Sequence, residues 1–172
     1  RGIMLAGLAP KNVLMVEADC RYSHTGEGLH RFVDPVDGEV YLYSQFETAD
    51  AKRMFACFDQ PDIKAAFDIS VIAPTHWQVI SNGAGAGVTD QGGKSVHTFA
   101  TTARLSTYLV ALIAGPYARW NDVYSDEHCE IPLGLFCRAS LAPFMDHERL
   151  FTETKQGFDF YHANFGVPYP FG

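Results

Sequence analysis

Residues 45–61 read Gln-Phe-Glu-Thr-Ala-Asp-Ala-Lys-Arg-Met-Phe-Ala-Cys-Phe-Asp-Gln-Pro, and along this stretch a strand pattern changes into a short helix. Thr48 or Asp50 is suited to cap a helix through residues 51–54, because a short polar side chain can accept hydrogen bonds from the free N–H groups of a first helical turn. The turn formed by residues 59–61 ends this region. We therefore predict a short helix inserted between β-rich segments.

The first 140 residues have a pattern typical of strands and turns, since apolar residues come in short runs broken by Gly, Pro, Asn and Asp. The predicted strands are Val13–Val16, Val40–Tyr43, Phe67–Ile72, Gln78–Ser81, Ser95–Ala100, Tyr108–Ile113 and Ile131–Cys137. The sequence Asp90-Gln91-Gly92-Gly93 predicts a tight hairpin, and Gly83–Gly87 is interpreted as a flexible crossing between strands. The predicted fold class is mainly β.

The pattern changes near Pro143. Residues 145–164 form the first long helical stretch, in which apolar and aromatic residues recur at helical spacing. Residues 165–172 are rich in proline and aromatic residues and predict a loop after the helix. We place a domain boundary here, with a β-rich domain in residues 1–141 and the start of a second domain in residues 142–172.

Charge and hydropathy exclude two classes of partner. The net charge of −7 over 172 residues provides no basic face for a nucleic acid, so we expect none to bind. The longest apolar run, residues 108–115, is far shorter than a membrane span, so we expect no membrane association through a helix. The chain opens on Arg1 without a leader pattern, and we interpret it as an internal piece of a longer protein.

The four cysteines, at positions 20, 57, 129 and 137, are widely spaced in a chain that needs no disulfides to fold. We expect reduced thiols and a cytoplasmic location. A disulfide between Cys129 and Cys137, which flank a predicted strand, stays open at this point.

Motifs for metal, phosphate or nucleophilic chemistry are lacking in the sequence. His147-Glu148 is followed by Phe151 where a second histidine would complete a zinc motif, and there is no Cys-x-x-Cys. Val88 stands where the third glycine of a dinucleotide loop would be, and no Gly-x-Ser-x-Gly elbow occurs. We therefore predict no catalytic residue and no metal ligand in this chain.

Gln45 and Glu47 are the candidate substrate-binding residues. On an extended segment, residues two apart project from the same face. A carboxylate beside an amide oxygen suits an ammonium group, and truncating such a charge pair in a dry cleft costs roughly 2–5 kcal/mol. A Gln and a Glu at a strand end are, however, more often simple solvated surface.

A family resemblance favours the functional interpretation. The chain resembles the aminopeptidase N family of zinc metallopeptidases. Its sequence is most similar to the branch of that family from high-GC Gram-positive bacteria. The segments that resemble the family, in the same order and at similar spacing, are Thr25–Phe32, Tyr41–Glu47, Phe55–Pro61, Ser106–Ala111 and Phe165–Pro170.

The resemblance implies a fold, an activity and a cofactor. It implies a β-rich, saddle-like amino-terminal domain, incomplete at its start, followed by the first helix of an α/β thermolysin-like catalytic domain. It implies a zinc-dependent aminopeptidase acting on peptides, with Gln45 and Glu47 binding the substrate α-amino group. The zinc ligands, from a His-Glu-x-x-His helix, would lie after Gly172, so we expect this chain alone to be inactive.

Two other functions stay open beside the aminopeptidase. The parent protein would be a non-catalytic β-rich scaffold or interaction module if its zinc site is degraded. An epoxide-hydrolysing relative shares the fold but commonly has a second Gln where Glu47 stands. For Arg53, Asp59 and Pro61 we expect structural roles, with Arg53 paired to a nearby carboxylate or carbonyl. Tyr41 and Tyr43 are likewise expected to pack within a strand.

Overall fold

The computed structural model describes residues 2–127, 129–167 and 169–170, and it is mainly β. The nine strands of the described part are β1 Gly28–Val33, β2 Val40–Gln45, β3 Ser70–Pro74, β4 Gln78–Ser81, β5 Gly85–Asp90, β6 Lys94–Phe99, β7 Leu112–Gly115, β8 Ala118–Ser125 and β9 Glu130–Cys137. The described residues also form three short 3-10 helices, Ala51–Arg53, Thr107–Leu109 and Ala139–Phe144, and one α-helix, α1, which spans His147–Phe165.

The strands form two antiparallel sheets and a separate hairpin. The larger sheet has the order β1-β2-β7-β4, and the smaller sheet has the order β3-β6-β5. Strands β8 and β9 form a long two-stranded hairpin. In the first hairpin, Gly28 of β1 stands opposite Gln45 of β2, so the end of β2 lies beside the start of β1.

The core next to the candidate site is built from aromatic and aliphatic side chains around the first 3-10 helix. Phe46, Ala51 and Val110 are buried together. Partly buried residues pack around these three, namely Met54, Phe55, Cys57, Phe67, Ile69, Leu105 and Tyr108. The end of β2 is thereby fixed to the first 3-10 helix, because burial of these apolar groups favours the compact arrangement.

Helix α1 packs on the β8–β9 hairpin. Phe158 stacks on Tyr124 of β8 with ring centroids 4.8 Å apart, and Lys155 pairs with Asp122 at 2.7 Å. Asp146 caps the helix by accepting from the Arg149 N–H, and Gly166 ends it in the left-handed conformation at φ 62°. None of the described helices has the length and apolarity needed to cross a membrane.

Several predicted elements are confirmed. Residues 40–43 lie in β2, and Gln78–Ser81 is β4. Residues 95–99 lie in β6, and residues 131–137 lie in β9. The hairpin glycines Gly92 and Gly93 have positive φ, as predicted. The long helix begins and ends within two residues of the prediction; of the predicted tail, Pro168, Phe171 and Gly172 lie outside the described residues.

The prediction of a strand at Val13–Val16 is wrong. These four residues are exposed and irregular, and no neighbouring strand of the described chain pairs with them. A β-branched, apolar sequence favours a strand only when a partner satisfies its backbone and covers one of its faces.

The prediction for Tyr108–Ile113 is also partly wrong. Its first residues lie in the 3-10 helix Thr107–Leu109, and β7 begins only at Leu112. The Asn82 side chain takes the place of a strand partner here, since its Nδ2 donates to the Leu109 carbonyl at 2.7 Å and its Oδ1 accepts from the Ala111 N–H at 2.6 Å. Similarly, the strand predicted at Phe67–Ile72 begins at Ser70.

The interpretation of Gly83–Gly87 as a flexible crossing is wrong for its second half. Strand β5 begins at Gly85 and pairs with β6. Strands β1 and β8 were not predicted either. The expected helix through Met54 is a 3-10 helix that ends at Arg53.

Candidate functional site

Gln45 and Glu47 lie where β2 leads into the first 3-10 helix. Gln45 is the last residue of β2, whereas Glu47 lies in the turn that follows, so strand alternation does not set the direction of the Glu47 side chain as expected. Both residues are exposed, and the Phe46 side chain between them is 1% exposed. The peptide bond between Glu47 and Thr48 is cis.

The turn that contains Glu47 is fixed by its own backbone hydrogen bonds and by Phe46. The Asp50 N–H donates to the Phe46 carbonyl at 2.9 Å, and the Arg53 N–H donates to the Asp50 carbonyl at 3.0 Å. Phe46 is held in turn by an edge-to-face contact with Phe55, with ring centroids 6.0 Å apart. Glu47 is therefore an exposed carboxylate on a well-anchored turn.

Asp59 connects the first 3-10 helix, Ala51–Arg53, to the second, Thr107–Leu109. Its Oδ2 accepts from the Lys52 backbone N–H at 3.1 Å, and its Oδ1 accepts from the Thr107 hydroxyl at 2.9 Å. Asp59, rather than Thr48 or Asp50, therefore satisfies a free N–H of the first 3-10 helix. Pro61 joins the same region, because its carbonyl accepts from the Ser106 hydroxyl. The structural roles expected for Asp59 and Pro61 are confirmed.

Arg53 closes the end of the β1–β2 hairpin. Its Nε donates to Asp50 Oδ1 at 2.6 Å, and its Nη2 lies 3.0 Å from Glu27 Oε2. The hydrogen bond that Arg53 donates to Asp50 raises the pKa of the Arg53 guanidinium, as do the negative charges of Asp50 and Glu27. The expected pairing of Arg53 with a carboxylate is confirmed.

Gly28 makes this close approach of Arg53 possible. A Cβ at residue 28 would lie 3.1 Å from the Arg53 Cβ, and the φ of Gly28 is +70°. Both constraints favour glycine, since other residues rarely adopt this conformation. Gly28 also stands opposite Gln45, so Arg53 packs beside the candidate site.

Glu47 differs from its acidic neighbours in having no partner among the residues that the structure describes. Glu27 and Asp50 are both paired with Arg53. Within the described part of the chain, the Gln45 and Glu47 side chains have neither a hydrogen bond nor an ion pair. The Glu47 carboxylate and the Gln45 amide are thus available to bind a cation from outside the chain.

The two tyrosines of β2 have the packing roles expected of them. Tyr41 is fully buried, its hydroxyl donates to Asp37 Oδ2 at 2.7 Å, and it accepts from the Ala139 N–H at 3.0 Å. Burial, together with the hydrogen bond to Asp37, raises the pKa of Tyr41 to about 12. Tyr43 is partly exposed and stacks on His30 with ring centroids 4.8 Å apart.

A second polar cluster, which the sequence did not reveal, lies between the β8–β9 turn and the end of α1. Asp126 Oδ2 lies 2.5 Å from His162 Nδ1, and Asp126 Oδ1 accepts from the Cys129 thiol at 3.5 Å. Burial and the hydrogen bond to Asp126 raise the pKa of the Cys129 thiol. We name these three residues the Asp126 cluster. The spacing Asp-x-x-Cys was its only sequence signal, because His162 is remote in sequence.

The described cysteines form no disulfide, and His147 packs on an aromatic ring. All four cysteines are free. Cys129 directly precedes β9 and Cys137 is its last residue, so their Cα atoms are roughly 26 Å apart at the usual rise per strand residue. A disulfide between them is therefore excluded. His147 stacks on Trp120 with ring centroids 5.3 Å apart.

The fold and the site define a class of protein. Residues 13–109, more than half of the chain, match the family model described as the Peptidase M1 N-terminal domain. The chain belongs to the peptidase M1 family, and the predicted resemblance is confirmed.

The relatives include proteins from bacteria and archaea. The chain is 50% identical over 170 residues to "Aminopeptidase N" of Streptomyces lividans, an alignment that covers 98% of this chain and 19% of the relative. It is 37% identical over 109 residues to "Probable aminopeptidase 1" of Sulfurisphaera tokodaii, covering 62% of this chain and 14% of the relative. It is 34% identical over 130 residues to "Aminopeptidase N" of Acetobacter pasteurianus, covering 75% of this chain and 35% of the relative. The chain therefore spans about a fifth of the Streptomyces relative.

Proposed function

We propose that the whole protein is a zinc-dependent aminopeptidase acting on peptides, and that Glu47, assisted by Gln45, binds the α-ammonium group of the substrate. The observation that supports this role most directly is the difference among the local carboxylates. Asp50 and Glu27 are both paired with Arg53, whereas Glu47 has no partner within the described residues. Membership of the peptidase M1 family supports a peptide as the source of the ammonium group.

An anchored ammonium group would explain removal of one residue at a time. The Glu47 turn is fixed by Phe46, so the bound ammonium would occupy one position relative to the rest of the site. Only the first peptide bond would then be presented for cleavage. Zinc, when bound, polarises a carbonyl and activates water. The His-Glu-x-x-His ligands that the resemblance implies do not occur in this sequence, so no step through zinc is assigned to these residues.

The first prediction tests the ammonium site with Glu47→Gln in the whole enzyme. The substitution keeps the size of the side chain but removes its charge, so we expect KM for an aminoacyl arylamide to rise and kcat/KM to fall. A loss of roughly 2–5 kcal/mol corresponds to about 30-fold or more in kcat/KM. Glu39→Gln is the matched control, because Glu39 is also an exposed carboxylate and directly precedes β2.

The charge of the substrate provides the second arm of this test. A desamino analogue lacks the ammonium group, so Glu47→Gln should not weaken its inhibition of the enzyme. Unchanged kinetics for the aminoacyl substrate, or an equal loss for the desamino analogue, would remove Glu47 from the ammonium site.

A non-catalytic scaffold is the alternative for the whole protein. Metal analysis of the purified protein, combined with an arylamidase assay, separates the two functions. Zinc together with activity supports the enzyme, and absence of both supports the scaffold. Because all four thiols are free, we propose a reducing compartment, the cytoplasm, as the place of action.

A further inference from the structure

We propose that Asp126, Cys129 and His162 form a zinc site that joins the β8–β9 turn to helix α1. This site is separate from the zinc site implied by family membership, whose ligands come from a His-Glu-x-x-His motif. The proposal does not depend on the proposed aminopeptidase activity.

The positions of the three side chains favour a shared ion. One ligand atom from each residue lies within 4.8 Å of the other two. Zinc bonds are about 2.0–2.3 Å long, so two ligands of a tetrahedral site stand roughly 3.5 Å apart. The Cys129 Sγ to Asp126 Oδ1 distance is already 3.5 Å. Small side-chain movements therefore suffice to enclose an ion.

The chemistry of the donor atoms selects zinc among the common ions. A thiolate and an imidazole are poor ligands for Mg²⁺ and Ca²⁺, which prefer oxygen atoms. Zinc accepts sulfur, nitrogen and carboxylate oxygen together, and three protein ligands leave a fourth position for water. The Asp-x-x-Cys spacing places two ligands in one turn, and His162 comes from a separate element, as in many zinc sites.

Partial burial makes the cluster a better site than a surface group of acids. The His162 side chain is 9% exposed and the Asp126 side chain is 19% exposed. The hydroxyl of Tyr124, a residue that is 4% exposed, lies 3.1 Å from Asp126 Oδ2 and 2.9 Å from Asp159 Oδ1, so its one proton is shared between the two carboxylates and helps to orient Asp126. Such hydrogen bonds to a ligand residue are typical of protein metal sites.

Metal binding would replace the hydrogen bonds inside the Asp126 cluster. His162 Nε2 accepts from the Tyr169 N–H at 3.2 Å, so the ring proton lies on Nδ1, facing Asp126. When Nδ1 binds the ion, this proton moves to Nε2, which can then no longer accept from Tyr169. The Cys129 thiol loses its proton to solvent. The backbone at Tyr169 therefore has to shift when the ion binds.

Cobalt(II) titration tests the site in the purified, chelator-stripped protein. Co²⁺ replaces zinc in such sites and shows an intense near-ultraviolet charge-transfer band when a thiolate binds it. The ligands expected for the family's zinc site include no thiolate, so this band would not come from that site, and the cysteine variants assign it to a particular thiolate. We expect the band in the wild type, its loss in Cys129→Ser, and its retention in Cys20→Ser, which removes an exposed cysteine.

The number of bound ions gives an independent readout. We expect Cys129→Ser to bind one cobalt ion fewer than the wild type, and His162→Gln to need a higher cobalt concentration to develop the band. Circular dichroism verifies that the variants are folded. A wild-type protein without the thiolate band would overturn the proposal whether or not the variants fold, and so would a band that persists in folded Cys129→Ser.

Discussion

Asp34 is a single carboxylate that connects distant parts of the chain. It is 1% exposed and accepts from Arg138 Nη1 at 2.9 Å, from the Ser140 hydroxyl at 2.6 Å and from the Val36 N–H at 2.9 Å. Arg138 also lies over the Phe32 ring, 4.6 Å from its centroid. The loop between β1 and β2 is thereby attached to the segment that follows β9.

The second prediction concerns Asp34→Asn. The amide cannot pair with the Arg138 charge, so we expect a lower Tm by several degrees, measured by differential scanning calorimetry. Asp62→Asn is the control, since Asp62 is exposed and has no hydrogen bond or ion pair within the described residues. Equal Tm values for the two variants would show that the Asp34 contacts contribute nothing to stability.

The same carboxylate predicts a dependence on pH. The hydrogen bonds from Ser140 and Val36 lower the pKa of Asp34, and the charge of Arg138 acts in the same direction. A carboxyl with a lowered folded-state pKa contributes its stability above its unfolded pKa of about 3.9, and that stability is lost as the pH falls through the folded-state pKa. Unfolding experiments should therefore show the difference between wild type and Asp34→Asn shrinking toward strongly acid pH. A constant difference at every pH would contradict this.

Substitution of Phe46 tests how far the stability of the turn that contains Glu47 depends on packing in the core. The third prediction is that Phe46→Ala lowers the free energy of unfolding by about 3–5 kcal/mol, because the side chain is 1% exposed and packs with Ala51 and Val110. Phe46→Leu should lose much less stability, since it leaves a smaller cavity. Denaturant titration measures both, and similar values for the two variants would show that packing around Phe46 is not what stabilises the turn.

Among the secondary structure elements, the β5–β6 hairpin depends on its glycines. Gly93 has a φ of 90°, whereas Gly85 on β5 has ordinary φ and no atom within 4 Å of an added Cβ. The fourth prediction is that Gly93→Ala costs roughly 1–2 kcal/mol in unfolding free energy, while Gly85→Ala, the control, is nearly neutral. Thermal unfolding measures the stability of both variants. Equal losses of stability would show that replacing any glycine of the hairpin has this cost, and that the positive φ of Gly93 is not the cause.

The elements that sequence could and could not predict differ in a physical way. Strands such as Gln78–Ser81 combine β-branched residues with flanking turn residues, and these local signals predicted them correctly. Strand β5 is exposed at every residue and reads Gly-Ala-Gly-Val-Thr-Asp, so its pairing with β6 leaves no hydrophobic pattern to detect. Val13–Val16 shows the reverse case, in which the hydrophobic pattern is present but no strand of the described chain pairs with it.

The candidate site was predictable only in part. Only the family resemblance distinguishes Gln45 and Glu47 from ordinary surface residues, because an exposed Gln and Glu have no distinctive local pattern. The ion pairs that join residues 27, 50 and 53 at the end of the β1–β2 hairpin depend on the strand register and the 3-10 helix, which only the folded chain shows. The Asp126 cluster depends on contacts 36 residues apart and was equally hidden.

At the scale of the whole molecule, exposed apolar surface is the main feature. Ile3, Met4, Val13 and Met15 are each more than 60% exposed, and Phe144 and Phe165 add exposed aromatic rings. Both sheets also have edge strands, β1 and β4 in the larger and β3 and β5 in the smaller. Exposed apolar patches and open edges favour association.

The fifth prediction follows from this surface. The isolated 172-residue chain should self-associate, despite its net charge of −7, and adding sulfate should increase the association because it strengthens apolar burial. Light scattering with size-exclusion chromatography measures the mass. A monodisperse monomer across the sulfate series would contradict the prediction.

The contact between Asp59 and Thr107 has a consequence for synthesis on the ribosome. These residues are 48 positions apart, and Asp59 also accepts a hydrogen bond from Lys52 in the 3-10 helix that follows Glu47. The growing chain cannot complete this support until residue 107 has left the exit tunnel, although Gln45 and Glu47 emerge much earlier. A nascent chain arrested before that point should therefore leave the Glu47 turn sensitive to protease, and a longer arrested chain should protect it.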